Sequence, residues 1–214
     1  MAADNCTDPA SLVAALRNMA AADLSPGASG NASVRGDGGM WISASGLVAA
    51  NATLDDLVWV DDQGHWQGVV KPSSEWQMHR AIYQDHPQAQ AIVHCHSRHA
   101  TALSCQRRGI PPCHYMVAAA GSDHIPCADY ALFGTDSLAE NVAKAMHHSK
   151  ACLIANHGQI AFADSPSQAL ELAEVVEELA AGFLLSHLGG SPTLLTTDDM
   201  MLVLKQFSHY GQSQ

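Results

Sequence analysis

Ala91-Ile92-Val93-His94-Cys95-His96 is an apolar run that ends in two histidines, and its reading decides the architecture. Ala, Ile and Val ahead of the histidines favour a buried strand, whose alternate side chains point to opposite faces. His94 and His96 then share one face and Cys95 takes the other. Two imidazoles converging on one point suit a divalent metal such as zinc. Paired histidines also occur as ordinary core or surface hydrogen-bonding groups, so the pair alone leaves both roles open.

Downstream, residues 97–107 read as a helix, 110–133 as irregular or short strand, and 135–147 as a helix. Residues 151–155 form a second buried strand candidate, followed by Asn156-His157-Gly158 and a strand over 159–163. Ser165-Pro166-Ser167-Gln168 has the form of a capping box with Pro at the first helical position. The helix it opens runs to about Leu188, where Gly189-Gly190 stops it. Leu172, Val175, Val176, Leu179, Phe183 and Leu184 face inward, and Glu171, Glu174, Glu177 and Glu178 face outward or lie at the edges. A last helix covers 198–207.

Upstream, Ser74-Glu75-Trp76-Gln77 reads as another capping box, with a helix from Ser74 to Asp85 that Pro87 ends. Short strands fall at 32–35, 40–43 and 57–60. The turn signals Gly36-Asp37-Gly38-Gly39 and Asp61-Asp62-Gln63-Gly64 each suggest a hairpin. Residues 8–23 read as an amphipathic helix with Leu12, Val13, Leu16 and Met19 on one stripe. Interleaved strands and helices with hairpin signals predict an α/β chain, a mixed sheet covered by helices. The 214 residues fit a single domain over 1–214.

Lys and Arg number 10 against 21 Asp and Glu, a net charge of −11. That balance argues against nucleic-acid or anionic-membrane partners. An anionic ligand would have to be held by local dipoles. The N-terminus shows neither a basic start nor an apolar core, so no signal peptide is read there. Cys6, Cys95, Cys105, Cys113, Cys127 and Cys152 are scattered without a CxxC pair, which fits reduced thiols and a cytoplasmic location.

His157, at the exit of a buried strand, becomes interesting as a third nitrogen donor, because three His leave a tetrahedral metal one exchangeable position. Glu75 sits in the first turn of the predicted helix. Complementing the helix dipole explains it there, and so does ligating a metal and moving protons. Ser29-Gly30-Asn31, Ser43-Ala44-Ser45-Gly46 and Pro72-Ser73-Ser74 are small-residue loops able to cradle a phosphate through N–H groups and hydroxyls. Tyr115 can donate a proton to a developing alkoxide, or simply pack. His79, four residues after Glu75 on the same helix face, is either a support for the site or structural.

Together these segments resemble the class II aldolase/adducin family over roughly residues 8–210. The stretches that carry the resemblance run from Ser29-Gly30-Asn31 to Arg35, then Ile42 to Gly46, Lys71-Pro72-Ser73-Ser74-Glu75-Trp76, Ala91 to Ser97 and Asn156-His157-Gly158. The resemblance implies a three-layer domain with a largely antiparallel mixed sheet. It implies one Zn²⁺ per subunit on His94, His96 and His157, with Glu75 as exchangeable fourth ligand. It further implies a phosphate site at Gly30, Asn31, Ser45, Gly46, Ser73 and Ser74. Tyr115 matches a residue reaching a neighbouring subunit's site, and Phe133 and Tyr210 match residues on the aldehyde side. The expected assembly is a homotetramer with active sites at subunit interfaces, acting on a sugar phosphate. Within the family, cleavage of a ketose 1-phosphate to dihydroxyacetone phosphate and a small aldehyde stands beside 4-epimerase and dehydratase chemistry and a non-catalytic assembly role. Ala28 stands where a Thr is common, and Ser122-Asp123-His124 departs from the small residues expected there.

Overall fold

The computed structural model describes residues 8–207. Tyr210 lies outside them. The described residues build one seven-stranded sheet in the order β3-β2-β1-β4-β7-β6-β5. Its strands are β1 (Asn31–Gly36), β2 (Gly39–Ser43), β3 (Leu57–Asp61), β4 (Ala91–Cys95), β5 (Cys127–Ala128), β6 (Ala151–Ile154) and β7 (Gly158–Ala163). Every neighbouring pair is antiparallel except β5 with β6. The mixed, largely antiparallel sheet is therefore as expected.

Helices α1 (Pro9–Ala21), α2 (Trp76–Asp85), α3 (Arg98–Ser104), α4 (Asp136–Met146), α5 (Pro166–Ser186) and α6 (Thr197–Phe207) lie outside the sheet. The alternation along β4 sorts the layers. Ala91, Val93 and Cys95 pack with Leu12 and Leu16 of α1 and Val176 of α5, whereas Ile92 packs with Met78 and Ile82 of α2 and Val142 of α4. His94 follows the parity of Ile92, so it is on the α2 side of the sheet. Leu12, Val13, Leu16 and Met19 are all buried. Among the described residues no helix is long and apolar enough to cross a membrane.

Caps bear out several helix starts. Asp8 Oδ1 accepts the Ala10 N–H at 2.9 Å with Pro9 opening α1. Thr135 caps α4, and Ser165 Oγ accepts the Gln168 N–H at 3.3 Å with Pro166 opening α5.

Two local expectations fail. The helix predicted from Ser74 starts at Trp76, Glu75 occupies the N-cap position, and no side chain caps it. The Glu75 N–H goes instead to Ser73 Oγ at 3.3 Å, and Gln77 reaches Gly134 O at 3.4 Å, so the box is not made. The turn at Asp61–Gly64 forms, with the Asp61 N–H bonded to His65 O, but no strand follows it. The chain instead crosses back, making only an isolated bridge between Pro72 and Ala44. The partner of β2 on that side is β3, reached through residues 44–56.

Candidate metal centre and anion cleft

β4, the β6–β7 turn and the start of α2 meet at one point. His94 lies at the end of β4, and His96 follows just after the ladder stops at Cys95. His157 is in the turn before β7, where Asn156 takes a left-handed φ of 55°. Gly158 has no room for a side chain: a Cβ would stand 2.5 Å from Cys95 O and 3.0 Å from His96 Cδ2. This close approach brings the β6–β7 turn against the end of β4. Nitrogens of His94, His96 and His157 all lie within 4.8 Å of one another.

The orientation of His94 is fixed from behind. Its Nδ1 sits 2.8 Å from Gln159 O, a carbonyl that can only accept, so the neutral ring leaves Nε2 bare. Nε2 of His94 is 3.0 Å from Nε2 of His96. Glu75 Oε2 lies 3.2 Å from His94 Nε2, and Oε1 lies 3.2 Å from His157 Nε2. Oε1 is buried and makes no well-aligned hydrogen bond.

Electrostatics follow from this crowding. Burial pushes the Glu75 carboxyl up, but the charge that the facing His94 and His157 rings carry when protonated, in place of a metal, overrules it and holds the group ionised. Burial, then the neighbouring His94 and His157, drive His96 down to about 3. A single proton cannot satisfy three converging imidazoles and a carboxylate, whereas a divalent cation can. The donor set of three His and one exchangeable carboxylate, with an orphaned carboxylate oxygen, fits such an ion.

Glu75, His96 and His157 line a cleft of about 380 Å³, while His94 is fully buried and does not reach it. The same cleft is lined by Ser29, Gly30, Asn31, Ser45, Gly46, Ser73 and Ser74, and by Tyr130, Ala131 and Phe133. All six residues expected to hold phosphate are thus brought together. Not all their donors are free, however. The Ser45 N–H is bonded to Lys71 O at 3.0 Å and the Ser73 N–H to Ser43 O at 2.9 Å. Their hydroxyls, not these amides, are left for an anion.

Asn31 is more committed still. Its Nδ2 donates to Glu75 Oε2 at 2.9 Å, and its Oδ1 lies 2.6 Å from Nε2 of His79. His79 Nδ1 is 2.7 Å from Ser33 Oγ, which is 2.9 Å from the Tyr83 hydroxyl. His79 is thus joined to the site, one of the two roles left open for it. Tyr115 does not line this cleft. It is half exposed, stacks on His114 and approaches Phe207.

Sequence reasoning missed Tyr130, Ala131 and Asn156 as lining residues. Asn156 had a signal, since it neighbours His157; Tyr130 and Ala131, in an irregular segment, had none.

Residues 10–184 match the family model described as Class II Aldolase and Adducin N-terminal domain. A 5-methylthioribulose-1-phosphate/5-deoxyribulose-1-phosphate aldolase of Rhodospirillum rubrum is 42% identical over 202 residues, 94% of this chain and 91% of the relative. An L-fuculose phosphate aldolase of Haemophilus influenzae is 43% identical over 189 residues, 88% of each chain. A solved L-fuculose 1-phosphate aldolase superposes with a TM-score of 0.90 at 36% identity, covering 97% of this chain and 98% of the other.

Proposed function

The chain belongs to the class II aldolase and adducin family, and from that premise we propose that it cleaves a ketose 1-phosphate reversibly to dihydroxyacetone phosphate and a small aldehyde. The first substrate proposed is L-fuculose 1-phosphate, giving lactaldehyde. The observation that carries the reading is the three-histidine cluster, two of whose members line with Glu75 a cleft also lined by Ser and Gly loops.

His94, His96 and His157 would hold the cation, proposed as one Zn²⁺ per subunit, with Glu75 as exchangeable ligand. When bound there, a divalent cation supplies Lewis-acid polarisation of substrate oxygens, an effect worth several kcal/mol. Ser45, Gly46, Ser73, Ser74, Gly30 and the remaining N–H of Asn31 anchor the phosphate, and this remote binding positions the C3–C4 bond over Glu75. In the condensation direction the ionised Glu75 takes a proton from C3 of dihydroxyacetone phosphate, and the electron pair left on C3 forms the C3–C4 bond to the aldehyde carbon. The Tyr115 hydroxyl gives its proton to the aldehyde oxygen as it becomes the C4 hydroxyl; Glu75 then releases its proton while the Tyr115 phenolate regains one, and cleavage runs the same steps in reverse. Because Tyr115 stands outside the cleft of its own chain, the proposal places it in a neighbouring subunit's site, within a homotetramer. Phe133 and Tyr210 are assigned to the aldehyde side. We take residues 1–214 as one domain and the compartment as the cytoplasm.

A second reading has specific support. In sequence the Rhodospirillum rubrum relative aligns over 202 residues against 189 for the Haemophilus influenzae L-fuculose phosphate aldolase, at 42% against 43% identity, which supports 5-deoxyribulose or 5-methylthioribulose 1-phosphate as the second reading. These substrates share the dihydroxyacetone phosphate half and differ at the aldehyde end, where a methyl-sized change discriminates by only about 1–3 kcal/mol.

The test is release of dihydroxyacetone phosphate from L-fuculose, L-rhamnulose, 5-deoxyribulose and 5-methylthioribulose 1-phosphates, with and without chelator. The expected result is release that chelator abolishes and zinc restores. No release from any of the four by metal-loaded protein would overturn the reading and direct attention to epimerase or dehydratase chemistry.

A further inference from the structure

We infer that His79 is a positioning residue that holds the Glu75 carboxylate, through Asn31, in the orientation from which it transfers a proton. The inference rests on the proton-carrying role proposed for Glu75.

Strand β1 and helix α2 face each other with matching periods. Asn31 and Ser33 are two apart on β1, a spacing of about 6.6 Å along a strand. Glu75, His79 and Tyr83 follow one another at intervals of four, about 6 Å per step along a helix. The two ladders interleave into one continuous buried chain, from Glu75 to Asn31, His79, Ser33 and Tyr83.

The direction of every hydrogen bond in that chain follows from its end. An ionised Glu75 only accepts, so Asn31 presents its amide N–H to it. The Asn31 carbonyl then faces His79 and requires Nε2 to carry the proton. Nδ1 of a neutral ring is therefore bare and takes the Ser33 hydroxyl, whose own oxygen accepts from Tyr83. All the donors point toward the carboxylate, an arrangement in which each bond polarises the next. Burial keeps the imidazole neutral, its pKa pushed down to about 3. The far end is anchored by Arg35, which stacks 4.5 Å from the centre of the Tyr83 ring and donates to the Tyr83 carbonyl at 2.8 Å. A wrong tautomer at His79 would turn the Asn31 amide over and set a carbonyl against the carboxylate.

The experiment follows deuterium exchange at C3 of dihydroxyacetone phosphate in D2O, a half-reaction that needs Glu75 but no aldehyde. Rates are taken per bound metal for wild type, Glu75→Gln, His79→Leu, His79→Gln and Ser33→Ala, alongside melting temperatures. His79→Leu is expected to lose about tenfold or more in kcat for exchange, with a smaller change in KM. His79→Gln, whose amide N–H can stand where Nε2–H stood, is expected to regain most of that rate although both variants melt below wild type. Equal losses in the Gln and Leu variants, or a wild-type rate in His79→Leu, would overturn the inference. If His79→Leu does not fold, Ser33→Ala decides: about a threefold or greater loss is expected from releasing the tautomer, and an unchanged rate overturns it. Exchange in wild type that Glu75→Gln abolishes leaves the proposed function standing whatever the His79 variants do. No exchange in metal-loaded wild type ends both.

Discussion

Glu177, midway along α5, accepts the backbone N–H of His99 at 2.9 Å, 78 residues away in sequence. The same carboxylate takes the Ala100 N–H at 2.9 Å and the Ser97 hydroxyl at 2.6 Å. It thereby closes the open start of α3, immediately after His96. Glu177→Ala should cost about 1–3 kcal/mol, because it strips part-buried amides of their acceptor. Burial pushes the carboxyl up, but bonds from Ser97, Ala100 and His99 prevail and hold it below its ordinary 4.5. The stabilisation is therefore complete above pH about 4.5 and drains away as pH falls through the lower folded value. Urea unfolding across pH 3–7 checks this; equal stability of the two proteins at neutral pH would contradict the capping role.

Gly30 takes a φ of +80°, and a Cβ there would lie 2.3 Å from Ser25 Oγ and 2.8 Å from His94 O. Gly30→Ala should destabilise the fold by about 1 kcal/mol or more. It should also weaken metal retention, because the push lands on the backbone of a ligand. Melting curves with metal analysis would show both effects, and wild-type values for both would refute the prediction.

Removing the metal should lower the melting temperature, since it leaves the Nε2 atoms of His94 and His96 3.0 Å apart with no shared cation. Saturation at a thousand times Kd would stabilise by about 4 kcal/mol. Calorimetry before and after chelation, then with zinc, cobalt or manganese restored, measures the loss and ranks the ions. A melting temperature indifferent to chelator would mean that the cluster holds no metal.

Tyr115→Phe and Glu75→Gln should each be nearly inactive alone. Co-expressed, they should form mixed assemblies in which some clefts have an intact Glu75 and receive an intact Tyr115 from a neighbour. Activity well above either parent is expected from the proposed trans role. Purified mixed assemblies no more active than the parents would confine Tyr115 to another task.

Much of this was legible locally. The H-x-H at the end of an apolar strand, the Ser165-Pro166 helix start and the α1 stripe all depend on residues close in sequence, where periodicity and capping operate. The failures are long-range. Ser74 looked like a cap because the motif is local, yet Glu75 is drawn into the histidines brought by β4 and the β6–β7 turn. Glu177 read as a peripheral carboxylate because its partners lie on another helix. Asn31 had phosphate chemistry in its neighbourhood, but its contact with Glu75 arises only when β1 meets α2. An N-x-S strand facing an E-x₃-H-x₃-Y helix was present in the sequence. Nothing in the spacing said that the two would oppose each other.

The pairing of Asn31 with His94 across β1 and β4 makes strand alignment a form of quality control. The three imidazoles come from β4, its exit and the β6–β7 turn, none of them on β1. A chain that threaded β1 one residue out of step would turn Asn31 and Ser33 to the opposite face. It could keep its ion while losing the support beneath Glu75. Such a misfolded fraction would pass any assay for bound metal and fail in turnover, so specific activity per metal reports how faithfully the sheet was assembled.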